Sequence, residues 1–197
     1  MVDKKQDESN YITYGQMNLI NDFRTLWAEL TIWERSYIAS IAAQFGNDMA
    51  VSDRLHRIPS DFKSKLETFY GEVAPERFEF LLTKHITLIQ EMVKAQQRGD
   101  IEAMNTAITE LYKNSDEIST YLAMMNPYWN AAQWRILLDQ YLRLTIDQIV
   151  ALFSGDFSRD IEIYDRLAHH ALILGDYMAA GVMQYLITKE AQKRSPY

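Results

Sequence analysis

The chain has 197 residues, of which 48% are hydrophobic and 24% are charged, with only seven glycines and four prolines. This length fits one domain that can bury most of its apolar surface around a single core. The 20 basic and 27 acidic residues give a formal net charge of -7. Because phosphate groups repel a negative protein, the charge argues against nucleic acid and anionic membranes as partners.

The sequence contains no cysteine. Disulfides, thiolate nucleophiles, iron–sulfur ligation and zinc–thiolate sites are therefore excluded. The first residues, MVDKKQDESN, contain no apolar segment typical of a secretion signal. No run approaches the roughly 18 uncharged apolar residues of a membrane span. We therefore expect a cytoplasmic protein.

Apolar residues recur at intervals of three and four along most of the chain, which is the spacing of amphipathic helices. Four long helices are predicted: helix A (17–45), helix B (75–98), helix C (130–153) and helix D (159–189). Residues 47–59 are predicted as a connector, and shorter helices are predicted at 60–70, with Ser60 as its cap, and at 100–125. No strand is predicted, because valine is scarce and no alternation of polar and apolar residues persists.

These elements predict an all-α protein whose fold is a four-helix bundle of helices A to D. The two shorter helices are additional connecting pieces between the long ones. The bundle is predicted as a single domain at 17–190. A flexible N-terminal arm is predicted at 1–16 and a flexible C-terminal tail at 191–197, because neither segment offers an apolar stripe to bury.

Helices A and B align with helices C and D, and this alignment pairs His85 with His170. Two interpretations are open. The first is a true internal A-B/C-D duplication, which would place the two histidines on facing helices about a pseudo-two-fold axis. The second is the partial register that any two amphipathic helices show when one is slid along the other.

The histidine pair suggests a metal site, because bundles build such sites from side chains on facing helices. The candidate ligands for a divalent metal ion are His85, His170, Glu29 and Glu34, with Tyr141 as a further candidate. The alternative is that both imidazoles are core groups bonded to a hydroxyl, a carboxylate or the backbone. The spacings Glu-x-x-His and His-Glu-x-x-His, which mark bundle and zinc metal sites, do not occur.

Other patterns in the sequence are weaker indications of a functional site. Asp165, His169 and Asp176 share one face of helix D, either as a solvated face with a local Asp–His pair or as a poised base. Aromatic residues such as Trp27 and Trp134 either line a small-molecule pocket or simply fill the core. No glycine-rich phosphate loop and no Gly-x-Ser-x-Gly turn occurs, so a conventional nucleotide-dependent enzyme or hydrolase is not indicated.

Several segments, among them RLHRIPSDFKSKLETFYGE, RFEFLLTKHITLIQEMVKAQQRGD and GDFSRDIEIYDRLAHHALILGDYMAAGV, resemble a widespread family of uncharacterised bacterial proteins of about this length. That family is frequent in spore-forming Gram-positives, and some members carry automatic kinase or transferase names that no motif of this chain supports. The resemblance implies an all-helical bundle with no established activity. It also implies histidines where this chain has Leu30 and Tyr141, so a four-histidine site would lack two of its histidines here.

The missing catalytic motifs and the aromatic-rich helices together predict a non-enzymatic helical bundle that acts by binding. Its partner would be a second copy of itself, another protein or a small-molecule ligand. The alternative is a metal-binding bundle of hemerythrin-like or ferritin-like architecture that uses His85 and His170 with nearby carboxylates.

Overall fold

The computed structural model describes the backbone of residues 12–194 and the side chains of residues 12–192. In this range the chain forms helices and no strand, which confirms the predicted all-α helical bundle. The seven helices are α1 (Tyr14–Ala42), α2 (Asp48–Leu55), α3 (Ile58–Tyr70), α4 (Val73–Arg98), α5 (Ile101–Met125), α6 (Ala131–Ser154) and α7 (Phe157–Arg194). The predicted N-terminal arm lies mostly outside the described residues, as does the end of the C-terminal tail.

Several helix ends follow from local side-chain chemistry. Thr13, Asp100 and Asn130 each accept a hydrogen bond from a backbone N–H in the first turn of α1, α5 and α6. These bonds satisfy donors that have no partner within the helix. Helices α4 and α6 end where Gly99 and Gly155 adopt left-handed backbone conformations, which glycine adopts without steric penalty.

The structure differs from the sequence prediction between α1 and α4. Helix α2 occupies most of the predicted connector, because Val51 and Leu55, one turn apart, bury an apolar edge against α1. The next helix begins at Ile58 rather than at Ser60. Pro59 lies in its first turn, where the missing N–H has no partner to lose.

Five long helices form a closed ring. Helix α1 packs against α7, α7 against α6, α6 against α5, α5 against α4, and α4 against α1, while α2 and α3 pack along α1 and α4. Helix α5 is thus a full-length member of the ring rather than a connecting piece, since Leu111, Ile118 and Leu122 bury its apolar stripe. The A-B/C-D duplication stays a prediction.

Helices α1 and α7 run antiparallel in close contact. Arg24 of α1 pairs with Asp176 of α7, and Arg35 pairs with Asp160, so residue numbers rise along one helix and fall along the other. Next to the first of these pairs the backbones approach closely at Gly175. A Cβ atom on Gly175 would lie 2.7 Å from the backbone Cα and N of Arg24.

The centre of the bundle is aromatic. The Trp27 ring packs edge-on against Phe62 with centroids 5.2 Å apart, and Trp134 and Tyr141 each lie 6.3 Å away from Trp27. These four rings are buried, and offset and edge-on pairs of this kind are the favoured aromatic geometries. The rings therefore fill the core.

Helix α7 contains an 18-residue window that is long and apolar enough, by length and composition alone, to cross a membrane. The sequence analysis found no such span because it counted uninterrupted uncharged residues. Of this window, 39% is buried inside the bundle. The buried side packs against α1 and α6, and helices with one face in a protein core share this composition with membrane spans.

Candidate functional site

A layer of buried polar side chains joins α1 to α6 inside the aromatic core. The phenol hydroxyl of Tyr141 donates a 2.8 Å hydrogen bond to Oε2 of Glu34 and lies 3.0 Å from Oγ1 of Thr31. Glu34 is only 1% exposed. Its second oxygen, Oε1, has no hydrogen-bond partner in the protein. A buried carboxylate with one hydrogen bond is an expensive group unless it carries a proton.

This environment changes the acidity of both groups. Burial raises the pKa of Glu34 from 4.5 to about 7, against the opposing effect of the hydrogen bond from Tyr141. Burial also raises the pKa of Tyr141 well above its ordinary value, and the neighbouring Glu34 carboxylate adds to this effect. Tyr141 is therefore a neutral hydrogen-bond donor, and Glu34 changes its charge near neutral pH.

A second buried carboxylate, Asp160 of α7, lies beside Arg35 of α1. Asp160 is 3% exposed in its side chain and pairs with the guanidinium of Arg35, which is 33% exposed. Its other oxygen accepts a 3.0 Å hydrogen bond from the Gln148 amide. The Arg35 guanidinium also lies 4.8 Å from the ring centroid of Tyr164. These contacts tie α1, α6 and α7 together, and the sequence analysis did not single out any of their residues.

His85, the first of the predicted metal ligands, has a hydrogen-bond partner of its own. His85 is buried on α4, and its Nδ1 lies 3.2 Å from Oδ1 of Asn114 on α5. The Asn114 amide donates in turn to the backbone carbonyl of Leu81. Burial lowers the pKa of His85 to about 4, although the hydrogen bond to Asn114 opposes this shift. His85 is thus a neutral hydrogen-bonded group in the α4–α5 contact.

The other predicted ligands also have separate partners. His170 bonds through Nε2 to the backbone carbonyl of Leu137, 2.7 Å away. Glu29 accepts a 2.7 Å bond from Arg54 of α2. Within residues 12–192, no three histidine, aspartate or glutamate side chains lie close enough to hold one metal ion. The divalent-metal site stays a prediction from the sequence, and elemental analysis of the purified protein would test it.

Two surface clefts lie apart from the buried polar layer. One is a groove of about 530 Å³ between α4 and α5, whose lining includes Glu91, Lys94, Arg98 and Glu110. A smaller cleft of about 380 Å³ lies beside it and also includes Lys94 and Arg98. Neither is lined by Glu34, which stays sealed between helices.

The outward side of α1 has an unusual chemistry. Helix α1 contains five charged residues, and each of them is either ion-paired with another helix or buried. Arg24 and Arg35 pair with α7, Asp22 pairs with Lys65, Glu29 pairs with Arg54, and Glu34 is buried. This leaves an uncharged stripe, which we call the α1 outer face: Tyr14, Asn18, Asn21, Thr25, Ala28, Ile32, Ser36 and Ala39.

The α1 outer face also carries exposed apolar groups. Tyr14 is 75% exposed and Ile32 is 46% exposed, and Met17 lies exposed beside the stripe. From Tyr14 to Ile32 its residues alternate by four and three positions, which is the spacing at which one helix packs along another. The sequence contains this signal, but only the ion pairs of the folded chain show that the flanking charges are already engaged.

Comparison of the chain with protein-family models, with curated proteins and with solved structures finds no match. The resemblance to the bacterial helical family therefore stays a prediction. The geometry of the bundle is what carries the functional argument.

Proposed function

We propose that the protein is a non-enzymatic helical bundle that acts by association, with the α1 outer face as its binding surface and a second copy of the chain as its partner. The observation that carries this proposal is the engagement of every charged side chain of α1 in the bundle itself. A 29-residue helix spans about 44 Å, so the uncharged stripe runs along much of the molecule.

The charge of the chain favours this surface for contact between identical copies. Two molecules of net charge -7 repel each other, and like charges brought together at an interface are strongly unfavourable. The α1 outer face offers no charge to oppose. Charge-depleted centres with polar rims are typical of protein interfaces, and the ion pairs of Arg24 and Glu29 with neighbouring helices would form such a rim.

The contact would follow the geometry of two packed helices. A symmetric dimer uses the same patch on both copies, and the alternation of four and three along the stripe suits two α1 helices lying side by side. Asn18 and Asn21 lie in the stripe among apolar and small residues. Polar side chains at such positions fix register at some loss of affinity, so we expect a weak and reversible dimer.

Enzymatic chemistry is not supported by the same geometry. The groups whose acidity burial alters, Glu34, His85 and Tyr141, lie between helices and line none of the clefts described above. A catalytic acid or base must reach a substrate atom within hydrogen-bond distance. These three groups are better explained as parts of the core.

Ile32→Glu tests the proposal because it places a charge in the centre of the α1 outer face. We expect the wild-type protein to show reversible dimerisation in sedimentation velocity. The variant should raise the dissociation constant on the order of 30-fold, since each copy brings a glutamate into the contact.

Ile136→Glu is the matched control. Ile136 is 61% exposed on α6, so the same substitution adds the same charge outside the α1 outer face and should leave association unchanged. Circular dichroism would check that both variants keep the helical fold. A wild-type protein that stays monomeric up to millimolar concentration would sink the proposal, as would an equal effect of both variants.

A further inference from the structure

Glu34 stands apart from the other charged residues of α1 because it forms no ion pair. It points to the inside of the bundle, where Tyr141 of α6 is its one hydrogen-bond donor. Within the described part of the chain, no lysine, arginine or histidine lies within ion-pair distance of its carboxyl group. The Glu34 carboxyl group therefore has one hydrogen bond, from the uncharged hydroxyl of Tyr141, and no positive charge beside it.

The charged and titratable groups on the surrounding helices are directed to other partners. On α7, Asp160 and Tyr164 both contact Arg35, and on α4 His85 is bonded to Asn114. On α3, Lys65 pairs with Asp22. On α2, Arg54 pairs with Glu29 and Asp48 lies close to Tyr37. None of them supplies a positive charge to Glu34. Ionisation of Glu34 thus places an uncompensated charge between α1 and α6.

We propose that Glu34 is a proton-controlled latch: with its proton in place the bond from Tyr141 holds α1 to α6 across the core, and loss of the proton opens this contact to water. The protonated carboxyl group accepts from Tyr141 through Oε2 and is neutral, which the apolar surroundings favour. The ionised group needs hydrogen bonds to both oxygens, and Oε1 has none in the closed bundle. Water reaches it when the two helices separate.

The direction of the pH effect follows from the acidity of the group. Burial raises the pKa of Glu34 in the folded protein to about 7, above its ordinary value of 4.5. The folded state therefore holds the proton more tightly than the unfolded state. The stabilisation by the protonated group is complete below about pH 4.5 and is lost as the pH rises through about 7.

Glu34→Gln mimics the protonated group, because an amide still accepts from Tyr141 and places an uncharged NH2 at the second position. Hydrogen exchange of the α1 amides, corrected for the intrinsic effect of pH, would compare the two proteins. We expect the ratio of protection factors, variant to wild type, to rise on the order of 100-fold from pH 5 to pH 8.5. Effects of His85 are common to both proteins and cancel in this ratio.

Glu29→Gln is the matched control. It makes the same change one and a half turns away on α1, at a partly exposed group paired with Arg54, and its ratio should stay flat over this range. A flat ratio for Glu34→Gln would overturn the proposal.

A second measurement needs no variant. The 13C chemical shift of the Glu34 carboxyl carbon in the wild-type protein should titrate near neutral pH. Titration at the ordinary glutamate value of 4.5 would overturn the latch whatever the variants do. Because this titration reports on the Glu34 carboxyl group itself and not on association, the latch and the binding face can fail separately.

Discussion

Asp160→Ala is expected to lower the free energy of unfolding by about 3 kcal/mol. The aspartate is the buried partner of Arg35 and also accepts from Gln148. Its removal leaves a guanidinium and an amide without their acceptor inside the contact of α1, α6 and α7. Because the Arg35 side chain is 33% exposed, water relieves part of this penalty, which places the effect at the lower end for broken buried pairs. Chemical denaturation monitored by circular dichroism would measure it.

Asp176→Ala provides the matched control for this prediction. Asp176 forms the other ion pair between α1 and α7, with Arg24, but both side chains are more than 40% exposed at 43% and 44%. Exposed pairs contribute about 0–1 kcal/mol. Equal losses for the two variants would contradict the view that the buried Asp160–Arg35 pair fixes α1 on α7.

Gly175→Ala is expected to destabilise the fold by about 3 kcal/mol, at the upper end of the usual effect of overpacking. The new Cβ atom would lie 2.7 Å from backbone atoms of Arg24 and 2.9 Å from the carbonyl carbon of Phe23. Backbone atoms within a helix cannot rotate away as a side chain can. Helices α1 and α7 would have to separate, which weakens the contacts on both sides of the crossing. Thermal and chemical unfolding would both report the loss.

Gly15→Ala is the same substitution at another site of α1, where we do not expect it to destabilise the fold. Gly15 lies in the first turn of α1, and a Cβ atom there would have nothing within 4 Å. Alanine is favoured over glycine in a helix by up to about 1 kcal/mol, so this variant should be neutral or slightly more stable. A loss of stability similar to that of Gly175→Ala would show that the close crossing is not the cause.

Much of the fold follows from the sequence because it depends on periodicity. The helical spacing predicts helices A to D and a further helix at 100–125, which was predicted as a connecting piece, and Gly99 and Gly155 mark two of the helix ends. The spacing does not show that α5 belongs to the ring. An apolar stripe indicates that one face of a helix is buried, but it does not identify the helix that covers this face. It also misses α2, whose eight residues offer only two buried positions.

The candidate site was less accessible to sequence reasoning. Glu34 was predicted only as a candidate metal ligand near the two histidines, and the structure places it in the core, bonded to Tyr141. The predicted pairing of His85 with His170 depends on the register of helices that are distant in the chain, and each histidine has its own partner. Ion pairs such as Arg35 with Asp160 join residues 125 positions apart. No local pattern encodes a contact of that kind.

The two proposals concern opposite sides of one helix. The outward side of α1 lacks charge because the flanking residues pair with neighbouring helices, and the inward side carries the one carboxyl group without an ion pair. If α1 loosens when Glu34 loses its proton, the face that we assign to association also loses its fixed shape. We therefore expect dimerisation to weaken as the pH rises above neutral, and less so in Glu34→Gln.

The most direct test of the central claim is a dilution series of the 15N-labelled wild-type protein followed by two-dimensional NMR at pH 6. We expect amide shifts that change with concentration and that map to the α1 outer face, with the largest changes around Thr25, Ala28 and Ile32. Spectra that do not change with concentration would contradict it. Changes confined to other surfaces, such as the groove between α4 and α5, would contradict it as well.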